Sequence, residues 1–180
     1  MHPLRRRLLT LIVLGGPLVL GSYVLGFVAW PDAMTKMWGG VPQWLRPLYT
    51  GWMFVAAAGF FAFSRPLVLH PHPEQVRLAG GRDFRSLLTA YALVLFPSAL
   101  WLPATKWYLD QPSGLRFAVV WLDLVAVAAG SIAIIVAVAT LRPRPAGAQR
   151  TIALGGALAF AFQTVVLDGL LWPVLTLLAR

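Results

Sequence analysis

Five long apolar stretches occupy most of the chain, and the solvent they imply is lipid. They run approximately Leu8–Trp30, Pro47–Leu69, Ser86–Tyr108, Leu115–Leu141 and Thr151–Ala179. Each reaches the ~20 residues that a helix needs to cross ~30 Å of hydrocarbon. A soluble helix would show one polar face, but these stretches are apolar all round, so each must face lipid or another helix. The connections are short, the longest lying near Arg65–Arg85. The expected fold is all-α: an integral membrane bundle of five transmembrane helices, forming one domain over residues 1–180.

The basic residues are distributed as a membrane topology requires. The formal net charge of +9 would suit nucleic acid in a soluble protein, but here the cations sit in loops, so no nucleic-acid partner is expected. The N-terminus, second loop and fourth loop hold Arg5, Arg6, Arg7, Arg65, Arg77, Arg82, Arg85, Arg142, Arg144 and Arg150. The other side holds Lys36, Arg46, Lys106, Arg116 and Arg180. Cytoplasmic loops carry the excess of Lys and Arg, so the expectation is a cytoplasmic N-terminus, with the chain in a bacterial inner membrane. Arg5–Arg7 before Leu8–Leu14 imitates a signal peptide, but the apolar run continues to Trp30. It reads as an uncleaved first helix.

Enzyme chemistry finds little to work with. There is no cysteine, no phosphate loop and no nucleophile–base constellation. His70 and His72 flank Pro71 in the second loop without an acidic or cysteine partner set, and read as a solvated loop rather than a metal site.

Small residues mark close helix packing: Ala126 with Gly130, Ala129 with Ala133, and Gly155-Gly156. In the first loop, Gly39-Gly40 between aromatic residues predicts a segment that opens and closes over the bundle.

Two acids interrupt apolar helices. A charge in such a place costs ~2.5–3.5 kcal/mol even on the insertion scale, so Asp123 and Asp168 need an explanation. Asp123 lies 18 residues before Leu141, and Asp168 lies 17 after Thr151. Both therefore sit ~26 Å from the fourth loop, at one level. If both face the interior they form a coupled carboxylate pair. Alternatively, each hydrogen-bonds to a neighbouring helix or is held by Lys106 or Arg116. Phe160, Thr164 and Asp168 are spaced four apart and are expected on one helix face. Of the 8 tryptophans, six (Trp30, Trp38, Trp44, Trp52, Trp101 and Trp107) cluster toward the first- and third-loop side. There they either anchor the interface or stack on a flat ring system.

The first loop resembles the signature of the TspO/translocator-protein family, W-Y-x-x-L-x-K-P-x-W-x-P-P. Trp30 and Lys36 keep the family spacing, Met34 replaces the leucine, and Pro42 stands for the second proline of the pair. Pro31, Met37, Gly39 and Val41 replace the tyrosine, the first proline, the second tryptophan and the first proline of the pair. Pro17 and Gly21 look like residues of the family's first helix. Ser98–Pro103 is similar to its N-x-x-W-x-P, and Trp121–Val125 resembles its V-D-L-L segment. Leu167-Asp168 occupies the place of its L-N.

The resemblance implies an internal pocket near the first-loop end, capped by that loop. It implies a flat hydrophobic ligand, most of all a tetrapyrrole such as protoporphyrin or haem, and a homodimer. Carried over by position, Trp30 and Trp38 lie in the lid. Trp52, Ser98 and Trp101 form the wall, with Phe160, Thr164 and Asp168 opposite. The expected function is a membrane receptor or carrier for such a ligand, with Asp123 among the ligand-binding candidates. Two alternatives stand beside it: an accessory subunit of a larger membrane complex, and a small proton-linked transporter using Asp123 and Asp168.

Overall fold

The structure is a computed structural model that describes residues 1–69, 72–143 and 147–179. It is all-α, with five helices long and apolar enough to cross a membrane. Among the described residues there is no strand, only one antiparallel bridge between Arg77 and Arg142. His70, Arg144, Pro145 and Arg180, singled out in the sequence, lie outside the described residues.

The crossing helices begin and end where local chemistry requires. α1 (Pro3–Ala29) starts on His2, whose imidazole accepts from the Leu4 amide, with Pro3 at the first helical position. It stops at Trp30 because Pro31 disfavours helical geometry in the residue before it; Trp30 has φ −134° and ψ 51°. Pro31 then opens a short helix, α2 (Pro31–Lys36), with Asp32 in its first turn and Lys36 in its last, both suited to the helix dipole. α3 (Arg46–Val68) and α4 (Arg85–Asp110) follow. α5 (Gly114–Thr140) is capped by Ser113, which accepts from the Arg116 amide.

The fifth span differs from the single regular helix expected over 151–179. It comprises α6 (Gly147–Ala161), a π-helical segment (Phe162–Leu171) and α7 (Trp172–Leu178). In the π segment the backbone bonds skip five residues rather than four, which widens the turn.

The helices form a ring. α1 lies along α4, α4 along α5, α5 along the fifth span, and the fifth span along α3; α3 and α1 meet only at a few points. Lipid tails are as apolar as leucine, so the ring is held by close packing and hydrogen bonds rather than by exclusion of water. Gly59 of α3 and Gly156 of α6 show this directly. A Cβ on either would sit 2.5 to 2.7 Å from the other's carbonyl oxygen, so only glycine permits this approach. Gly130 does the same for α5 against Ala90 of α4. Gly155, by contrast, faces open space.

Two cores result. At the end nearer the second and fourth loops, Phe63, Phe84, Leu87, Tyr91 and Ile134 pack with Leu8 and Ala157, and Ser64 and Tyr91 share a buried hydrogen bond of 2.7 Å. At the first-loop end, Val41, Tyr49, Tyr108, Phe117, Leu124 and Trp172 form the second. The second and fourth loops are stitched by paired backbone bonds of 3.0 Å between Arg77 and Arg142. Glu74 lies 3.6 Å from His2 and 3.3 Å from His72, tying the N-terminus to the second loop. Its carboxyl is held below the usual range, first by a hydrogen bond within its own backbone, then by His2 and His72.

Candidate functional site

The π segment places the chemistry. Gln163 Nε2 donates to Asp168 Oδ1 at 2.8 Å. The two are five residues apart, the spacing that a π turn brings side by side. Gln163 is buried, and its Oε1 has no partner. Tyr23 of α1 and Tyr49 of α3 lie within electrostatic reach of the Asp168 carboxyl. Tyr49 donates its hydroxyl to Leu167 O at 2.9 Å, beside Asp168. The Tyr23 ring lies 6.2 Å from Trp101, which lies 6.4 Å from Trp172. Trp101 Nε1 is buried without a partner. α1, α3, α4 and the fifth span thus converge on one acid, one amide, two phenols and two indoles.

The first loop packs over this cluster. Trp172 Nε1 donates to Met37 O at 2.8 Å, holding the end of α2. Gly39, at φ +53°, and Gly40 press against α7: an added Cβ would overlap Thr176 Oγ1 and Leu175 O respectively. The glycine pair, expected as a hinge, is in this structure a seat for the lid on the fifth span. The Arg46 guanidinium stands 5.5 Å from the Trp38 ring, and the Lys106 ammonium 5.9 Å from the Trp30 ring. Arg46 Nε donates to Val41 O at 3.2 Å. The lid region therefore carries two tryptophans, one beside Arg46 at its end and one beside Lys106 of α4.

Each expected site residue has a definite place. Trp38 meets Tyr49 edge-on at 6.2 Å. Trp52 is half-buried; its ring lies 4.8 Å from Phe162, and its Nε1 donates to Ala159 O at 3.0 Å. Ser98 is half-buried on α4, one turn from Trp101. Phe160, Thr164 and Asp168 do not act as one face. Phe160 stacks with Phe60 and Phe63 in the other core, at 5.9 and 5.6 Å. Thr164 Oγ1 lies 2.7 Å from Ser131 Oγ of α5. The π segment begins at Phe162, between Phe160 and Thr164, and its wider turn breaks the four-residue register.

Asp123 and Asp168 do not form the coupled pair expected if both faced inward. Asp168 is bonded to Gln163, whereas Asp123 borders a groove between α4 and α5. Lys106 holds neither: its Nζ lies 2.6 Å from Asp110 Oδ2. Arg116 is engaged with Trp107 O at 3.0 Å and Gln111 Oε1 at 2.6 Å.

Tyr23, Tyr49, Gln163 and Trp172 complete the site and were not singled out from the sequence. Gln163 carried a usable signal, an amide in an apolar span that needs a partner. Among the described residues no group of three His, Cys, Asp or Glu side chains could hold a metal. No family model, curated protein or solved structure matches the chain.

Proposed function

We propose that the protein is a membrane receptor or carrier for a flat, largely apolar ligand that enters between the helices beneath the first loop, a tetrapyrrole of the porphyrin or haem type in the TspO manner. The observation that carries this reading is the convergence of Tyr23, Tyr49, Trp101, Trp172, Gln163 and Asp168 under a loop that ends in Arg46. Aromatic walls give stacking area to a ring system. Asp168 and the free Gln163 oxygen accept from ring N–H groups, while an anionic propionate is repelled there. At the first loop Arg46 reverses the preference: it keeps guanidinium donors beyond its bond to Val41, suited to a carboxylate. The ligand would thus lie with its ring inward and its acidic edge at the lid. The sparse contact between α1 and α3 supports entry from the bilayer, between Tyr23 and Tyr49.

The test is an absorbance titration of the detergent-purified protein with protoporphyrin and with haem. A saturable shift of the main porphyrin band, weakened by Trp101→Ala, is expected. A spectrum identical to that of pigment in empty detergent micelles sinks the reading.

A further inference from the structure

A second feature stands apart from the Asp168 cluster and does not rest on the reading above. Between α4 and α5, on the lipid-facing side, lies a groove of about 550 Å³. Leu100, Pro103, Ala104 and Trp107 of α4 line it with Val119, Leu122 and Asp123 of α5. Pro103 lacks the amide that would continue the helix ladder, and its ring disturbs the preceding turn. Asp123 Oδ2 is buried with no hydrogen-bond partner. The nearest cations along the sequence are engaged elsewhere. Arg116, two turns above on the same face of α5, bonds Trp107 O and Gln111, and Lys106 is paired with Asp110. An acid bordering a lipid-facing groove is costly unless something supplies the missing charge or hydrogen bond.

We infer that this groove binds a lipid-soluble amine, an apolar body carrying one ammonium group that pairs with Asp123. The size of the lining selects a small molecule over a partner helix. It spans positions 100–107 of α4 and 119–123 of α5, ~10 Å and ~6 Å of helix, whereas a packed transmembrane partner needs a seam along ~30 Å. The bulky Leu100, Trp107 and Leu122 also deny the backbone approach that small residues give to helix pairs. The charge selects the amine: an ammonium brings both a counter-charge and donors, while an alcohol brings only a donor and a quaternary cation only a charge.

The experiment uses the full chain in lipid nanodiscs and decylamine bearing a photoreactive diazirine on its tail. Cross-links mapping to residues 100–107 and 119–123 are expected. They should fall about tenfold with Asp123→Leu and with Asp123→Asn. Unlabelled decylamine should compete better than decanol or decyltrimethylammonium. Thermal melts of both variants check that the fold survives; the competition series on the unaltered protein stands even if they do not. Cross-links elsewhere, equal competition by decanol, or full labelling of Asp123→Asn would overturn the proposal. So would a second copy of the chain found cross-linked across the groove.

Discussion

Gln163 and Asp168 are joined by a 2.8 Å hydrogen bond across five residues of a π-helical segment. The bond closes the side-chain gap left by the wide turn and fixes the one acid that faces Tyr23 and Tyr49. Asp168→Asn preserves an oxygen that can accept from Gln163, and removes the charge. We expect it to fold normally and to keep or strengthen binding of an anionic porphyrin. Asp168→Leu removes the acceptor and strands the Gln163 amide, a loss of about 1–3 kcal/mol. Thermal melts and titrated absorbance read both. Equal damage from the two variants would mean that the ionised carboxylate itself is needed.

Arg46 should matter for the ligand's acidic edge rather than for the fold. Arg46→Gln keeps a donor but loses the charge beside Trp38. Its predicted effect is weaker porphyrin binding, with a shallower dependence on ionic strength. An unchanged salt dependence would place the propionates elsewhere.

The lid has its own signature. Trp172→Phe keeps the ring but deletes the bond to Met37 O, at a cost of about 1 kcal/mol. Gly40→Ala should do more, because its Cβ overlaps the Leu175 carbonyl. Both variants should release the first loop to proteolysis before the bundle melts. Trp38→Ala should weaken ligand binding without unfolding the bundle. If protease sensitivity stays at the wild-type level in the first two, the loop is not held by α7.

Gly59→Leu tests the α3–α6 seam. The side chain cannot enter a space bounded by the Gly156 carbonyl, and about 1–3 kcal/mol of stability should be lost. Gly155→Leu, one residue from that seam but facing open space, is the control and should melt like the wild type.

Glu74 gives a pH-dependent signature outside the membrane. Its carboxyl is held low in the folded state, so the stabilisation is present above the ordinary carboxylate range and disappears as pH falls through its lowered value. Glu74→Gln should therefore melt slightly earlier at neutral pH and equally at pH ~3. Orientation can be read alongside. With a cytoplasmic N-terminus, a cysteine at Ala148 resists an impermeant thiol reagent in intact cells, while one at Gln111 reacts. The reverse pattern would invert the topology.

The five spans were legible because lipid imposes a single requirement on each, a run of apolar residues of sufficient length. The expected ends of the second to fourth, such as 115–141 against Gly114–Thr140, differ from the observed ones by one or two residues, while the first helix starts at Pro3, five residues before the expected Leu8. Packing glycines were half legible: Gly130 and Gly156 lie in seams, but Gly155 does not, since an adjacent residue points elsewhere on the helix. The site was harder. Counting residues from the fourth loop gave Asp123 and Asp168 a common depth but not a direction, and direction separates them. The π segment was not legible, because nothing in the residues of Phe162–Leu171 separates a π turn from an α-helix. With it went the register linking Phe160, Thr164 and Asp168. The lid's anchor was hidden for another reason: Trp172 and Met37 lie 135 residues apart.

The thin contact between α1 and α3 makes the bundle resemble a cask with one loose stave. The stave is loose on its α3 edge alone: on the other edge Gly15 and Gly26 press on Leu95 and Leu102 of α4, and the second and fourth loops are stitched together below. α1 leans on α4, burying fully only Leu8, Gly15 and Gly26, and is tethered at its foot through His2 and Glu74. Swinging this stave outward trades contacts with side chains for contacts with acyl chains of similar polarity. In water such an opening would expose apolar surface and be resisted; in a bilayer that resistance is missing. If the ligand proposed above enters between α1 and α3, fit rather than exclusion of water is what keeps that way closed.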